Sequence, residues 1–275
     1  MENMKFSVSM CTYGKDNPEW LEIAVESILN QTVKPSEVVL VVDGPVPDEL
    51  DVVIKKYENN PIFKVIRLEK NMGHGEARRI GLENCSYDLV ALMDSDDISV
   101  TTRFEKQIDR FKADPALDIV GGNINEFIDS VENLVGVRTV PEKDLEIKQY
   151  IKKRCPMNQV TVMFKRKSVN SVGGYMDWFC EEDYYLWLRM YLAKMKFANI
   201  PENLVDVRVG KDMYNRRGGL KYFKSEAKLQ KFMLDNKIIG FGTYISNVSK
   251  RLIVQVLLPN KIRGWVFKKF AREKE

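Results

Sequence analysis

The pattern of apolar and polar residues in the first hundred positions alternates between strands and helices. Four short runs are rich in β-forming residues, at 6–11, 37–43, 64–68 and 88–94, and the run at 37–43 is almost continuously apolar. The segments between them repeat apolar residues every three or four positions, which is the period of an amphipathic helix. Strands without internal alternation are typical of sheets covered on both faces. The pattern therefore predicts an α/β fold in which a Rossmann-like, mostly parallel central sheet is flanked by helices.

The rest of the chain continues this alternation and then changes character. Helices are predicted at 103–113 and 181–195, and strands at 118–128, 159–165 and 203–210. The remaining residues, up to 275, are basic and compatible with helix. Eight Lys or Arg and two Glu lie between Phe241 and Glu275, although the whole chain of 275 residues carries a formal charge of only +4. Because the positive charge is confined to this C-terminal segment, we expect no nucleic-acid partner.

The cysteines and the N-terminus indicate the compartment. Four cysteines lie at positions 11, 85, 155 and 180, without the close pairs of a disulfide framework or the Cys-x-x-Cys spacing of a zinc site. The first ten residues lack the basic and then apolar stretch of a signal peptide. No apolar run approaches the roughly 18 residues that a bilayer requires. We therefore expect a protein of the reducing cytoplasm.

The fourth predicted strand ends in a cluster of carboxylates. The stretch "LMDSDD" places Asp94, Asp96 and Asp97 directly after an apolar run. Ligands of parallel α/β sheets bind beyond the carboxyl ends of the strands, where Thr12-Tyr13 and Asp43 also follow their strands. Carboxylates are preferred ligands of Mg²⁺ and Mn²⁺. The cluster therefore predicts a ligand and cation site, and a solvated acidic turn is the alternative.

The stretch "NMGHGEARRIG" (71–81) precedes and opens the third predicted helix. Gly73 allows a tight turn, and the N–H groups of a helix start can bind an anion. Arg78 and Arg79 lie where the helix dipole disfavours a cation, which indicates a ligand, while a flexible loop is the alternative. His74 is the only histidine, and we expect it to be solvated.

A second helix start combines acids with aromatic residues. In "EEDYYLWLRM" the acids Glu181, Glu182 and Asp183 begin an amphipathic helix. They either complement the positive end of the helix dipole or include a general base that faces a second substrate.

These segments together resemble a known family. "SVSMCTY", "EVVLVVDG", "NMGHGEARRIG", "LMDSDD", "NQVTVMFKRKSVNSVGGY" and "EEDYYLWLR" follow one another as in family 2 glycosyltransferases, the inverting enzymes of the GT-A fold. The resemblance covers roughly residues 5–210 and is greatest to bacterial enzymes that build O-antigen, capsule or exopolysaccharide units. It implies a GT-A catalytic domain at 1–215, with nucleotide-sugar binding in about 1–110 and the acceptor side in about 111–215. A helical basic C-terminal segment would span 216–275.

The resemblance also implies a role for individual residues. The base of a UDP-sugar would pack on Thr12 and Tyr13 and bond to Asp43, Arg78 would lie near the base and diphosphate, and Asp94 near the ribose. The residues implied in donor binding are Thr12, Tyr13, Asp43, Gly73, Arg78, Asp94 and Ser95. Asp96 would bind Mn²⁺ or Mg²⁺. Asp183 would be the catalytic base, with Glu182 beside it, and Asp97 has no assigned role.

Two positions depart from the family pattern. The second strand ends in "VVDGP", where many relatives have two acids before glycine and serine. Many relatives also have a histidine after the strand that matches "LVDVRVG", where this chain has Gly210 and Lys211. A basic loop that contains Lys211, Asp212, Arg216 and Arg217 either takes over contact with the diphosphate or is simply solvated.

The C-terminal segment mixes basic residues with Leu252, Trp265 and Phe270. It either packs on the catalytic domain or lies on an anionic membrane surface. Since acceptors in the family are often polyprenyl-diphosphate-linked sugars, we expect a peripheral enzyme on the inner face of the cell membrane.

The sequence thus predicts a metal-dependent inverting glycosyltransferase that uses a UDP-sugar. A non-catalytic nucleotide-sugar-binding scaffold at the membrane and a nucleotidyltransferase on a similar fold are the alternatives.

Overall fold

The computed structural model describes residues 4–210 and 219–257. Its strands are β1 (Phe6–Tyr13), β2 (Glu37–Asp43), β3 (Phe63–Arg67), β4 (Leu89–Met93), β5 (Ile98–Ser99), β6 (Ile119–Ile128), β7 (Ser130–Arg138), β8 (Met163–Lys165) and β9 (Phe197–Arg208). Its α-helices are α1 (Pro18–Leu29), α2 (Asp48–Glu58), α3 (His74–Asn84), α4 (Arg103–Ala113), α5 (Asp144–Tyr150), α6 (Arg166–Ser171), α7 (Glu182–Leu192), α8 (Leu220–Asp235) and α9 (Phe241–Leu252). A π-helical turn, Ile253–Leu257, follows α9.

One sheet runs through the molecule in the order β3-β2-β1-β4-β8-β6-β9-β5, and β7 pairs with β6. Strands β3, β2, β1 and β4 are parallel neighbours. Strand β8 is antiparallel to both β4 and β6, and β9 is parallel to β6. The carboxyl ends of β1, β2 and β4 therefore meet at one edge. The predicted α/β fold with a mostly parallel central sheet is confirmed.

Apolar side chains cover both faces of the sheet. Val38 and Leu40 of β2 pack in one cluster with α1, α2 and α4. Val39 and Val41 of the same strand pack in the other, with α3, α7 and α8. Successive side chains of a strand point to opposite faces, so a strand buried on both faces is apolar at every position. This is why β2 shows no alternation.

The C-terminal helices join the core of the sheet. Leu229 and Met233 of α8 are buried in the same cluster as Trp187 of α7. Helix α8 thus packs in the same core as α7. The domain boundary predicted between residues 215 and 216 stays a prediction. No helix within 4–210 or 219–257 is long and apolar enough to cross a membrane.

Several elements differ from the sequence prediction. The strand predicted at 159–165 is a 3₁₀ turn, Gln159–Thr161, followed by the short β8. The strand predicted at 203–210 is the second half of β9, which begins at Phe197. The hairpin strand β7 was not predicted, because its residues are mostly exposed and its apolar residues Val131, Leu134 and Val135 do not alternate regularly with polar ones.

Candidate active site

The end of β1 is tied to the carboxylate cluster through Asp16. One oxygen of Asp16, Oδ2, accepts hydrogen bonds from the Thr12 hydroxyl (3.0 Å), the Tyr13 N–H (3.2 Å) and the Ser95 hydroxyl (2.6 Å). Thr12 and Ser95 are buried, whereas the Tyr13 side chain is 41% exposed. Burial raises the pKa of Asp16. This network leaves the Tyr13 ring on the surface, where a planar group can stack on it.

Asp43 at the end of β2 holds the glycine loop. It is the register neighbour of Tyr13 across the parallel β1–β2 pair. Its two carboxylate oxygens accept hydrogen bonds from the N–H groups of Met72 (2.6 Å) and Gly73 (3.0 Å). Gly73 has a φ of +90°, which favours glycine. A Cβ at this position would meet none of the described atoms within 4 Å, so the loop faces open space.

Arg78 connects this loop with the carboxylate cluster. Its buried guanidinium donates to Asp94 Oδ1 and, through Nε, to His74 Nε2 (2.8 Å). The third nitrogen, Nη1, has no hydrogen-bond partner among the described residues. The charge of Arg78, together with burial, lowers the pKa of His74 to about 4, so this histidine is neutral at pH 7. A buried N–H without a partner is costly and indicates a site that a ligand acceptor completes.

The other two carboxylates of the cluster have different surroundings. Asp97 is buried and accepts a hydrogen bond from the Arg208 N–H (2.9 Å). Burial, with Asp96 and Asp94 nearby, raises the pKa of Asp97 well above the usual range. Asp96 is half-buried, and Arg208 Nε donates to its backbone oxygen (3.2 Å). Asp97 therefore anchors β9, and Asp96 is the carboxylate better placed to meet a ligand.

Asp94 and Asp96 are the candidate carboxylate ligands for a divalent cation. Within residues 4–210 and 219–257, no three His, Cys, Asp or Glu side chains form a ready-made metal cage. A Mg²⁺ ion in a nucleotide site, however, usually has only one or two carboxylate ligands and takes the rest from phosphate and water. Asp96, with Asp94 two residues away, fits that chemistry.

The acids at the start of α7 are directed to two different sides. Glu182 Oε1 lies 3.9 Å from His74 Nε2, next to the Arg78–Asp94 pair. Asp183 instead has its Oδ2 3.8 Å from the Cys155 thiol and opens into a cleft of about 340 Å³. Burial and the adjacent Asp183 raise the pKa of Glu182 to about 7. The helix start thus lies between the strand-end residues and a separate cleft.

The structure brings together most of the residues that the sequence singled out. Thr12, Tyr13 and Ser95 share Asp16, Asp43 holds Gly73, and Asp94, Arg78, His74 and Glu182 form one chain of contacts. Arg79 is not part of it, because it pairs with Glu76 and Glu83 along α3. Lys211, Asp212, Arg216 and Arg217 lie outside the described residues.

Sequence reasoning missed two residues of this region. Asp16 carries the network at the end of β1, and its only signal is an acid in the turn "TYGKDNP" that follows the strand. Arg208 stacks on Trp20 (4.6 Å between the guanidinium and the ring centroid) and Phe127 (4.7 Å) beside the carboxylate cluster. The sequence pattern contains no signal for Arg208, because its partners come from three distant segments.

Comparison with known proteins identifies the family of this chain. Residues 7–173 match the family "Glycosyl transferase family 2". The chain is 39% identical over 268 residues to the UDP-Gal:alpha-D-GlcNAc-diphosphoundecaprenol beta-1,3-galactosyltransferase of Escherichia coli, covering 98% of this chain and 97% of that one. It is 37% identical over 268 residues to the amylovoran biosynthesis glycosyltransferase AmsE of Erwinia amylovora, covering 96% and 98% of the two chains.

A solved structure shares the fold. Residues 1–349 of S. aureus TarS in complex with UDP-GlcNAc superpose with a TM-score of 0.65 at 18% identity, over 91% of this chain and 73% of that chain. The predicted GT-A fold and the resemblance to bacterial polysaccharide-building enzymes are both confirmed. The chain is a glycosyltransferase and belongs to glycosyl transferase family 2.

Proposed function

We propose that this glycosyltransferase moves a sugar, with inversion, from a UDP-sugar to a hydroxyl of a lipid-diphosphate-linked saccharide in bacterial surface polysaccharide synthesis. The contact chain Asp94–Arg78–His74–Glu182 carries the proposal. It links the strand-end carboxylates to the start of α7, where the candidate base lies. The proposed nucleotide site and the proposed general base for the acceptor hydroxyl are thereby held next to each other.

The donor would lie along the strand ends. The exposed ring of Tyr13 supports stacking of the nucleobase, and the open face of Gly73 leaves room for it. Arg78 Nη1, buried and without a hydrogen-bond partner among the described residues, supports a contact with a donor oxygen. Asp43 already accepts two backbone N–H bonds, so a bond to uracil would use its remaining lone pairs.

We assign the divalent cation to Asp96, with Asp94 nearby. When bound with the diphosphate, Mn²⁺ or Mg²⁺ would offset the negative charge that develops on the departing UDP. The side-chain exposure of Asp94 (32%) and the half-buried position of Asp96 leave both carboxylates within reach of a ligand.

Asp183 acts as the general base in this proposal. Its carboxylate takes the proton of the acceptor hydroxyl as that oxygen bonds to the anomeric carbon of the donor sugar. The bond from that carbon to the β-phosphate oxygen breaks, and its electron pair leaves with UDP. Arg78 and Asp94 are not among the described residues that line the Asp183 cleft, which supports attack from the face opposite the leaving group. Inversion of configuration is the stereochemical outcome that we propose.

The relatives suggest the acceptor. An Escherichia coli relative is named for galactose transfer to GlcNAc on diphosphoundecaprenol. We propose GlcNAc linked through diphosphate to a lipid as the acceptor class, with UDP-galactose the first donor to test. Such an acceptor places the enzyme at the inner membrane surface. Exposed Phe241, Ile245 and Leu252 on α9 support peripheral attachment through the C-terminal region.

The test combines Asp183→Asn with a control. Transfer from UDP-galactose and other UDP-sugars to a synthetic GlcNAc-diphosphate-lipid is measured with EDTA and after adding back Mn²⁺. We expect Asp183→Asn to lower kcat about 10³-fold while the Kd for UDP changes little, since a base acts on the acceptor. The control Asp177→Asn changes an exposed acid in the preceding loop and should have normal turnover.

Four outcomes would contradict the proposal. Turnover retained in Asp183→Asn would exclude Asp183 as the general base. Full activity in EDTA would exclude a requirement for a divalent cation. Wild-type protein that binds UDP but turns over no donor would indicate a binding protein. A product that carries a nucleotidyl group instead of a sugar would indicate a nucleotidyltransferase.

A further inference from the structure

A basic cleft separates the start of α7 from the C-terminal helices. Its volume is about 340 Å³, within the range of small-ligand sites. Asp183 lies on its wall, together with residues from β7, the segment after α5, α8 and α9. The cations on that wall are Arg138, Lys153, Arg154, Lys250 and Arg251. No sequence motif predicted this cluster, because its members come from segments more than a hundred residues apart.

Among the described side chains that line the cleft, five are cationic and three are carboxylates, Glu181, Asp183 and Glu226. Arg251 pairs with Glu226 (3.1 Å from Nε to Oε1), which neutralises both groups. Glu181 is buried, and its burial together with Glu226 and Asp183 raises its pKa well above the usual range, so it resists ionisation. The described lining of the cleft therefore carries more positive than negative charge.

The two lysines are the most available of these cations. Lys153 and Lys250 are exposed at the cleft, and neither ammonium group has a carboxylate within 4.0 Å in the part of the chain that the structure describes. Arg138, by comparison, donates to the backbone oxygen of Cys155 (2.9 Å), and Arg251 donates to that of Lys153 (3.2 Å). The arginines thus shape the wall, and the lysines are positioned to meet an incoming anion.

We propose that this cleft binds the diphosphate of the acceptor, with Lys153 and Lys250 as the principal contacts. The inference rests on the proposed function, in which Asp183 deprotonates a hydroxyl of the acceptor sugar. When that sugar is bonded directly to a diphosphate, the base and the phosphate-binding cations must lie within about one sugar ring of each other. Asp183 and the lysines line the same cleft, which meets this condition.

The location also distinguishes the acceptor diphosphate from that of the donor. None of the residues assigned to the donor, which include Asp94, Arg78 and Gly73, lines this cleft. Glu182, which lies beside that group, does not line it either, although it is the sequence neighbour of Asp183. A diphosphate in the cleft is therefore a second one, bound on the acceptor side.

The first experiment compares the double variant K153A/K250A with the double variant K34A/K224A. The control removes the same charge from exposed lysines that do not line the cleft. Two acceptors carry the same sugar, one through a diphosphate and one through a neutral glycosidic link to the same lipid. We expect K153A/K250A to raise KM for the diphosphate acceptor about tenfold or more, and to leave KM for the neutral acceptor and the Kd for UDP unchanged. The control should match wild type.

Two results of this experiment would overturn the inference. One is that the wild-type enzyme has the same KM for both acceptors, or that K153A/K250A raises KM equally for both. The other is a weaker Kd for UDP in that variant with an unchanged acceptor KM, because the cleft would then hold the diphosphate of the donor.

A binding measurement separates this inference from the proposed function. Geranyl diphosphate is titrated into wild type and both double variants by calorimetry, with saturating UDP present so that the donor side is filled. We expect binding to wild type and the control that weakens with added salt, and about tenfold weaker binding to K153A/K250A. We expect this pattern of geranyl diphosphate binding even if no sugar transfer is detected. In that case the proposed function fails and the diphosphate site remains supported. Equal binding to all three proteins would refute the cleft as a diphosphate site.

Discussion

Glu182 makes the stability of the protein depend on pH, and Glu182→Gln isolates this effect. The side chain is 15% exposed and lies beside His74, the Arg78–Asp94 pair and Asp183. Burial, followed by the charge of Asp183, raises its pKa from the ordinary 4.5 to about 7. The folded protein therefore holds a proton at Glu182 that the unfolded chain releases between pH 4.5 and 7.

The sign and size of the effect follow from this difference. A raised pKa in the folded state gives stability that is fully present below pH 4.5 and is lost as the pH rises through about 7. Each tenfold change in proton affinity is worth about 1.4 kcal/mol, so the full loss is about 3 kcal/mol. Relaxation around the ionised pair and partial hydration reduce it, and we expect about 2 kcal/mol. Glutamine is always neutral and does not suffer this loss.

Urea denaturation at pH 5, 6, 7 and 8 measures the prediction. The free energy of unfolding of Glu182→Gln should be close to that of wild type at pH 5 and about 2 kcal/mol higher at pH 8. Glu69→Gln is the control, because it replaces an exposed glutamate and should follow wild type at every pH. A difference between Glu182→Gln and wild type that stays constant from pH 5 to 8 would refute the reasoning.

Three further predictions concern the loop, the carboxylate cluster and the C-terminus. Asp43→Ala should lower the free energy of unfolding by about 3 kcal/mol in urea, because the N–H groups of Met72 and Gly73 lose a charged acceptor; a change below 1 kcal/mol would contradict this. Asp97→Asn should lower the free energy of unfolding by less than about 1 kcal/mol and Asp97→Ala by about 2 kcal/mol, since only Asn keeps an acceptor for the Arg208 N–H. Equal effects of the two variants would refute the role of Asp97 in anchoring β9. A chain ending at residue 257 should sediment less with anionic liposomes than the full chain, and unchanged sedimentation would exclude residues 258–275 as the attachment.

Local sequence signals were sufficient for the helices and strands that lie in the middle of the fold. Asn17 caps α1, because its side chain accepts hydrogen bonds from the N–H groups of Glu19 and Trp20, and asparagine before a helix is a common local start signal. Strand β2 was predicted with its observed bounds, since a strand buried on both faces leaves a continuous apolar run. The sheet edge was harder: β7 is mostly exposed although it contains Val131, Leu134 and Val135, and it is a strand because β6 supplies its hydrogen bonds.

The sequence by itself determined the order of the elements and which residues end the parallel strands. Parallel strands bring their carboxyl ends to one edge, so the closeness of Tyr13, Asp43 and Asp94 follows from strand prediction alone. Only the tertiary structure decided the partners of these residues. Asp16 collects donors from two segments, and the adjacent acids Glu182 and Asp183 contact different partners, His74 and Cys155. Such contacts join residues far apart in the chain, and their energies depend on burial and distance, which no local pattern encodes.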